Sequence, residues 1–445
     1  MNNRLEAAMA NSLTTARPIE AETGAEKLAY AKVTLRLIPL LFICYVAAYL
    51  DRVNVGFAKL QMLSDLQFSE TVYGLGAGIF FVGYALCEVP SNIILHKVGA
   101  RAWISRIMIT WGLLAGAMVF VKTPTSFYII RLLLGIAEAG FLPGVVHYLT
   151  YWFPSSKRGK VAAIFFTAIP ASGVIGGPLS GWIMQSMNGT HGLAGWQWMF
   201  VVEAIPSVLL GLLILWKLPN RVADAKWLTL AEKQALQSAI DADDAQKSSI
   251  PVSRVFGDRR VLTLIAVCYC MALGSYGISF WLPSIIKATG VKSLLEIGVL
   301  SAIPSVAAIV GMILLGRSAD RQRERKWHLA AAIAIGGVGM LLSVLFSANT
   351  VAALVALSIA SIGVFAANPL FWSLPTAFLS GAGAAAAVAF INCTTSTAGF
   401  VSPYLIGWIK QTTGSTDAAM LILAACNGLG LLILATMVPA KLVNR

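Results

Sequence analysis

Long apolar stretches alternate with short polar ones along almost the whole chain. Twelve of them have about 20 residues or more, which is the length that an α-helix needs to cross the hydrocarbon core of a bilayer. They lie near residues 33–58, 71–95, 102–121, 125–148, 160–187, 197–217, 260–284, 294–316, 328–346, 351–373, 384–410 and 416–438. The pattern predicts an all-α membrane protein with about twelve transmembrane helices.

One long polar segment separates the first six predicted spans from the last six. The predicted organisation is an N-terminal tail at 1–32, a six-helix bundle at 33–217, a connector at 218–259, a second six-helix bundle at 260–438 and a C-terminal tail at 439–445. The sequence "PLSGWIMQ" of the first half returns as "PYLIGWIKQ" in the second. Paired six-span halves with weak internal symmetry are typical of transporters that bind substrate between the halves.

Composition and charge support this class. The chain is 58% hydrophobic and 12% charged, whereas soluble domains carry about 25% charged residues. Of the 33 Lys and Arg residues, Arg52 and Arg131 lie deep inside predicted spans, and five lie on the face opposite the termini, namely Lys59, Lys122, Lys287, Lys292 and Lys410. The rest lie on the face of the termini. By the positive-inside rule both termini are cytoplasmic, in a cell (inner or plasma) membrane. The net charge of +13 therefore reflects the orientation of the chain in the membrane, and no nucleic-acid partner is expected.

The sequence gives no indication of an enzyme or of a bound metal. All six cysteines fall inside apolar runs, where small packing residues are common, and their spacing fits no zinc site. No loop combines a nucleophile with a base and an acid. We expect neither catalysis nor a cofactor.

Charged residues inside the spans are the strongest functional candidates. Each costs roughly 2.5–3.5 kcal/mol at mid-bilayer, so such residues face a cavity and pair with one another. Those that lie deep in a predicted span all belong to the first half, whereas the second half has Glu296 near a span entrance. The first-half candidates are Asp51, Arg52, Glu88, Arg131, Glu138 and Glu203. We therefore place both anion attraction and proton chemistry in the first half.

Arg52 is the predicted anion site. Tyr45, Tyr49 and Arg52 are at positions i, i+4 and i+7 and share one helical face. A guanidinium grips a carboxylate through two hydrogen bonds and keeps its charge. Asp51 points about 100° away, and we expect it to alternate with the substrate's carboxylate as the partner of Arg52. The structural alternative is that both charges merely lie at the interface end of span 1.

Arg131 and Glu138 are seven residues apart and share a face of span four, about 10 Å apart along the axis. Two interpretations remain open. They form a structural ion pair between helices, or they form a proton relay in which the arginine controls protonation of the carboxylate.

Several motifs resemble the major facilitator superfamily over essentially the full length of the chain. The turn "GRSADRQRER" fits its loop motif at Gly316, Asp320, Arg321 and Arg325, whereas the first-half copy has Asn92 and His96 where the motif has Gly and Asp. "YLDRVNVGFA", "RLLLGIAEAGFLPGVVHYLTYWFP" and "FWLPSIIK" resemble its anion:cation symporter branch. Members of that branch include permeases for tartrate, phthalate, hydroxyphenylacetate, nicotinate and sugar acids. The resemblance implies two pseudo-symmetric six-helix halves.

The resemblance also implies roles for particular residues. Asp51 and Glu138 match the proton-coupling carboxylates of the branch, and Arg131 matches the arginine of the superfamily's span-four motif. The candidates for substrate binding are Arg52, Tyr49, Tyr84, Tyr276, Trp372, Ser373 and Asn392. Polar groups inside spans also serve as contacts between helices, which is the structural alternative for the second-half candidates.

The predicted function is proton-coupled import of a small organic carboxylate by alternating access. The substrate is a tartrate-like hydroxy acid or an aromatic acid such as phthalate. The expected partners are the anion, a proton and the bilayer, with the protein working as a monomer. Two alternatives stay open: an organic-anion exchanger on the same fold, and a membrane sensor that binds an anion without moving it.

Overall fold

Helices make up nearly all of the computed structural model, which describes residues 24–154, 157, 161, 164–245, 257–375 and 381–440. Eleven of the described helical segments are long and apolar enough to cross a membrane. A further apolar pair, Gly381–Ser396 and Ala398–Thr413, occupies the place of the predicted span at 384–410. The predicted all-α fold of about twelve spans is confirmed.

The first half contains spans 1 to 6. Span 1 starts nine residues before its predicted beginning, because Ala29, Tyr30 and Val33 pack into the protein core. The helices are Gly24–Val53 and Val55–Leu66 (span 1), Glu70–Val98 (span 2), Ala100–Gly116 (span 3), Pro124–Glu138 and Phe141–Thr150 (span 4), Ala168–Ser186 (span 5) and Gly195–Lys217 (span 6).

The second half repeats this arrangement after a connector helix, Leu230–Ala245. Thr229 and Glu232 cap that helix with reciprocal backbone hydrogen bonds of 3.3 and 2.9 Å. The helices of the second half are Arg259–Ala288 (span 7), Leu294–Gln322 (span 8), Lys326–Leu345 (span 9), Thr350–Trp372 (span 10), Gly381–Ser396 and Ala398–Thr413 (span 11) and Asp417–Met437 (span 12).

Consecutive spans alternate in direction, so their ends lie on two faces. We call the face that carries the connector the connector face and the opposite one the far face. Near the far face, span 2 packs against span 11 and span 5 against span 8. A Cβ on Gly74 would lie 2.6 Å from the Pro403 carbonyl oxygen, and one on Gly181 would lie 2.5 Å from that of Leu294. Glycine thus permits the two halves to meet closely at this end.

Span 4 breaks within its length. Ala139 has ψ +130° and Gly140 has φ +87°, so the backbone leaves the helical conformation between Glu138 and Phe141. Spans 1 and 11 are each divided into two helices, at Asn54 and Thr397, but both residues keep helical φ and ψ. Non-helical backbone inside a span is tolerated where it is buried in protein or lines a cavity, and broken spans are typical of transporter binding sites. The fold thus places Glu138 directly before irregular backbone.

The break in span 4 depends on Gly140. Its φ is +87°, in the left-handed region that side chains with a Cβ rarely adopt. A Cβ there would also lie 2.3 Å from the Ser91 hydroxyl of span 2. Glycine therefore allows the chain to turn directly after Glu138 while span 2 stays close.

Candidate functional site

Arg52 and Glu138 form a buried ion pair between spans 1 and 4. Nε of Arg52 donates to Oε1 of Glu138 at 3.1 Å, and Nη2 donates to the same oxygen. The residues are 7% and 1% exposed. Removing one partner of such a pair costs about 3–5 kcal/mol because the other charge is left uncompensated. When the pair separates, Arg52 must therefore receive another carboxylate and Glu138 must receive a proton.

Aromatic rings surround the guanidinium of Arg52. Its Cζ lies 5.2 Å from the ring centre of Tyr84, 5.3 Å from Phe80, 5.6 Å from Tyr49 and 5.9 Å from Phe81. Rings at this distance attract a cation through their π-faces and exclude water around it. The charge is thus held in a fixed place and presents its remaining N–H groups to any anion that enters.

The second half completes this enclosure through span 7. The Tyr276 ring packs edge-on against Phe81 with a centroid distance of 4.6 Å. The hydroxyls of Tyr49 and Ser279 share a hydrogen bond of 3.2 Å. Both contacts cross between the halves, so Tyr49, Tyr84 and Tyr276 converge on Arg52 from two sides of the interface. The structure brings these four predicted binding residues together.

Arg131 makes its contacts with span 2. Its guanidinium Cζ lies 5.1 Å from the ring centre of Phe80, whose ring also contacts Arg52. It donates to the backbone carbonyls of Gly76 and Ala77 at 3.2 and 3.4 Å. Glu138, which shares the helix of Arg131, is instead bound by Arg52. Helical spacing correctly puts the two residues on one helix but does not identify the partner that span 1 supplies.

Asp51 is directed away from Arg52 into the first bundle. One of its oxygens accepts hydrogen bonds from the Ser207 hydroxyl at 2.5 Å and the Trp111 indole at 3.0 Å. The expectation that Asp51 neutralises Arg52 in the empty site is wrong for this state, since Glu138 does so. The reason is the angle of about 100° between consecutive helical residues, which sends the two side chains into different interfaces.

Glu203 is a second buried acid near Asp51, and no role for it follows from the sequence pattern. Its oxygens accept hydrogen bonds from Ser180 at 2.6 Å and Asn54 at 3.0 Å. It lies one helical turn before Ser207, the residue that binds Asp51. The sequence signal was a lone acid within an apolar run of span 6, which by itself does not reveal the neighbouring carboxyl.

Glu88 and Asn392 join the halves on the connector side of Arg52. The Asn392 amide donates to Oε1 of Glu88 at 2.5 Å, linking span 11 to span 2. Glu88 follows Tyr84 by one turn, so it lies on the same face of span 2 as a ring that contacts Arg52. Asn392, a predicted binding residue, thus contacts Glu88, an acid that was not predicted to bind substrate.

Two predicted binding residues lie at the end of span 10. Trp372 packs edge-on against Phe371, with ring centres 5.4 Å apart, beside an apolar cluster of the second half. The Ser373 hydroxyl donates to the carbonyl of Leu370 at 2.6 Å. Residues 376–380, which follow, lie outside the described part of the chain. The structure therefore locates this pair at the connector-side end of the span, with these contacts inside the second half.

The predicted gating motif forms the short turn between spans 8 and 9. Gly316, Asp320 and Arg321 lie in the last two turns of span 8, and Arg325 directly precedes span 9. Arg323 has φ +51° and ends span 8 with its N–H directed to the carbonyls of Ala319 and Asp320. The motif thus makes a tight connection on the connector face.

A charge cluster joins the halves at the far face. The Glu70 carboxylate binds Lys59 of its own half at 2.6 Å and Lys410 of the other half at 2.8 Å. The Lys59 ammonium also lies 3.3 Å from the ring centre of Trp281 and 4.7 Å from that of Tyr73. Lys59 is only 4% exposed, so its charge depends on this carboxylate. The sequence pattern placed both lysines among the loop charges and did not reveal the cluster.

We expect Glu70→Gln to open the far face. Removing the carboxylate leaves the buried ammonium of Lys59 unpaired and cuts its link to Lys410, so closure at this end loses stability. In a background without the native cysteines, a thiol introduced as Ser279→Cys would report on access to the interface. A membrane-impermeant maleimide added on the far-face side should label it several-fold faster in the Glu70→Gln protein.

Glu296→Gln is the matched control, because this exposed acid also lies at a far-face helix start. It should leave the labelling rate unchanged. Equal labelling rates with and without the Glu70→Gln substitution would contradict the assignment of the cluster as a closure of this face.

Among the described residues, no group of three or more His, Cys, Asp and Glu side chains could hold a metal ion. The charged groups of the site are arranged as the ion pair of Arg52 and Glu138, with a second cation, Arg131, on the other side of Phe80. Such an arrangement can exchange one anion for another and couple the exchange to a proton.

Residues 41–403 match the family model described as Major Facilitator Superfamily. The chain belongs to the major facilitator superfamily. It is therefore a multi-pass membrane transport protein for small organic substrates, and the predictions of a transporter rather than an enzyme are confirmed at that level.

Relatives within the superfamily cover nearly the whole chain. A Pseudomonas putida protein named "Putative metabolite transport protein NicT" is 49% identical over 98% of this chain and 100% of its own length. An Agrobacterium vitis protein named "Putative tartrate transporter" is 47% identical over 92% of this chain and 94% of its own. The xylose transporter XylE from E. coli, in a partially occluded inward-open conformation, superimposes with a TM-score of 0.72. It is 14% identical, with coverage of 92% of this chain and 98% of that chain, and shows the shared fold alone.

Proposed function

We propose that the protein imports a small organic carboxylate together with a proton. One observation carries this proposal: the buried guanidinium of Arg52 has a titratable partner, Glu138, that an incoming carboxylate can replace. Arg52 then provides the binding energy for the anion, while Glu138 provides the link to the proton. The names of the transporter relatives are compatible with an organic substrate of this kind.

The coupling follows from the cost of an unpaired buried charge. When the substrate carboxylate binds Arg52, Glu138 loses its counterion in a site that is 1% exposed. An ionised carboxylate without a partner is expensive there, so Glu138 takes up a proton and becomes neutral. When the substrate leaves, Arg52 attracts Glu138 again and the proton is released. Substrate and proton therefore enter and leave the site together.

Asp51 and Arg131 have supporting roles in this proposal. Asp51, bound by Ser207 and Trp111, is a second buried carboxyl, next to Arg52 in the chain, and serves as a further proton group. Arg131, on the other side of Phe80, anchors the backbone of span 2 and adds positive potential near Glu138. Neither side chain needs to touch the substrate.

Movement of the substrate occurs by alternating access between the two halves. With the connector face in the cytoplasm, as the distribution of Lys and Arg predicts, the Glu70 cluster closes the outside. The turn at Asp320 and Arg321 lies on the cytoplasmic side and serves as the gating motif there. In this scheme the far face opens to receive anion and proton, and the connector face opens to release them into the cytoplasm.

Two kinds of carboxylate are candidates for this site. A hydroxy acid of the tartrate type would place its carboxylate on Arg52 and its hydroxyls on Asn392 and Ser373. An aromatic acid of the phthalate type would place its ring among Tyr84, Tyr276 and Trp372. A thermal-shift screen of carboxylates on the purified protein separates these classes, because a ligand that binds the folded state alone raises Tm.

Transport in proteoliposomes tests the proposal. With the anion found in the screen, we expect net uptake that accelerates when the outside is acidified, together with alkalinisation of the external medium. Counterflow between equal pools without net uptake would instead establish the rival function, an anion exchanger. Binding without uptake or counterflow would establish a sensor.

A further inference from the structure

Glu88 has one satisfied oxygen and one unsatisfied oxygen. Oε1 accepts the hydrogen bond from Asn392. Oε2 is buried and has no hydrogen-bond partner within the part of the chain that the structure describes. Buried polar atoms are nearly always hydrogen-bonded, and leaving one unpaired is costly. The residue as a whole is 5% exposed, so bulk water does not satisfy this oxygen.

The position of this oxygen connects it to the proposed anion site. Tyr84 and Glu88 are four residues apart on span 2, with Cβ atoms about 5–6 Å apart along one face. The Tyr84 ring lies 5.2 Å from the guanidinium of Arg52. A molecule that holds Arg52 by a carboxylate and extends one helical turn along span 2 therefore reaches Glu88 with its other end.

The chemistry at this second position selects a hydrogen-bond donor. A carboxylate oxygen accepts hydrogen bonds, and the N–H of Asn392 that reaches Glu88 is already used. A hydroxyl on the substrate would satisfy the free oxygen. A methyl group would leave it unpaired, and so would a second carboxylate, which is itself an acceptor.

We propose that Glu88 is a specificity-determining residue that accepts a hydrogen bond from a hydroxyl of the substrate. This inference rests on the proposed function, because it requires a carboxylate bound at Arg52. The preferred substrate class is then a hydroxy acid whose carboxylate binds Arg52 and whose hydroxyl lies toward Glu88. Of the two open substrate classes, the hydroxy acids supply the hydroxyl that this site selects, whereas phthalate has none. A tartrate-like acid would use a hydroxyl here and keep its second carboxylate away from Glu88.

Three four-carbon acids of similar size provide the test. 4-Hydroxybutyrate carries a hydroxyl at the far end, butyrate carries a methyl group, and succinate carries a second carboxylate. We would measure their dissociation constants on the purified protein by calorimetry. The wild type should bind 4-hydroxybutyrate roughly tenfold or more tightly than butyrate, because the buried oxygen of Glu88 gains a hydrogen bond that it otherwise lacks. Succinate should bind more weakly than 4-hydroxybutyrate.

Two variants separate recognition from structural support. In Glu88→Leu the preference for 4-hydroxybutyrate over butyrate should fall to within about twofold, while butyrate affinity is kept. In Glu88→Gln, which retains an oxygen acceptor and folds with less disturbance, part of the preference should remain, and succinate should bind better than it does to the wild type. Rescue by Gln distinguishes recognition from a role in packing.

The outcomes distinguish this inference from the function on which it rests. Equal affinity of the wild type for 4-hydroxybutyrate and butyrate overturns the role of Glu88, as does an equal loss of affinity for all three acids in both variants. If the wild type binds none of the three acids, the carboxylate site at Arg52 fails, and the inference fails with it.

Discussion

Arg52→Lys reduces carboxylate uptake by about 100-fold or more, while the protein remains folded and inserted. Arg52 binds the carboxylate of Glu138 through two N–H groups, and we assign the same groups to the substrate. Lysine retains the charge, but its single ammonium group cannot donate the two parallel hydrogen bonds that a planar guanidinium gives to one carboxylate. Losing two hydrogen bonds to a charged partner, at about 1.5–3 kcal/mol each, produces an effect of this size. Initial uptake rates in proteoliposomes measure it.

Arg106→Lys is the matched control for this substitution. Arg106 is an arginine of span 3, and its guanidinium lies 3.8 Å from the ring centre of Trp103, outside the site. That variant should transport at a rate close to that of the wild type. Uptake by Arg52→Lys within a few-fold of the wild-type rate would show that positive charge alone is sufficient and that two-point recognition at Arg52 is wrong.

Glu138→Gln separates coupling from binding. Glutamine imitates the protonated acid, so it no longer competes with the substrate for Arg52, and the anion should bind more tightly than in the wild type. Counterflow between equal pools should continue because it needs no proton release. Concentrative uptake driven by a pH gradient should collapse, because the empty carrier cannot restore the pair with Arg52 and reset. Both modes are measured in the same proteoliposomes.

The same variant has a second expected property. Without ligand, Arg52 is a buried cation with no carboxylate, so the free protein should lose stability and regain it on addition of anion. Glu203→Gln is the control, since this equally buried acid bonds to Ser180 and Asn54. It should retain concentrative uptake. Intact pH-driven accumulation in Glu138→Gln would remove Glu138 from the coupling mechanism.

The fold is largely predictable from the sequence because a bilayer admits few solutions. Apolar runs of sufficient length must become helices that satisfy their own backbone hydrogen bonds, and the polar stretch at 218–259 marks the middle. Helical periodicity also correctly places Tyr49 and Arg52 on one face of span 1. Helix ends are less predictable. Span 1 begins at Gly24 because buried contacts extend it beyond the apolar run.

The partners of the charged residues could not be read from the sequence. Arg52 and Glu138 are 86 residues apart, and their pairing depends on how spans 1 and 4 rotate against each other. Periodicity indicates the face of a helix but not the neighbour of that face. For that reason the sequence pattern assigned Arg52 to Asp51, its neighbour in the chain, whereas Asp51 binds Ser207 and Trp111.

Contacts across the two halves were the least predictable. The link from Glu88 to Asn392 joins residues 304 positions apart, and the far-face cluster joins Glu70 to Lys410. These contacts exist only when the halves are in a particular relative position. One local signal was available: Gly140 follows Glu138 closely, and a glycine beside a buried acid marks a place where the helix can break.

The central claim is that the anion displaces Glu138 from Arg52 and that Glu138 then takes up a proton. Calorimetric titration of the purified protein with the identified anion, in two buffers of different ionisation enthalpy, counts the protons taken up on binding. At a pH where Glu138 is ionised in the ligand-free protein and protonated in the anion-bound protein, the account predicts about one proton taken up per anion by the wild type and close to zero by Glu138→Gln. Equal proton uptake by both proteins, or none by the wild type, would contradict it.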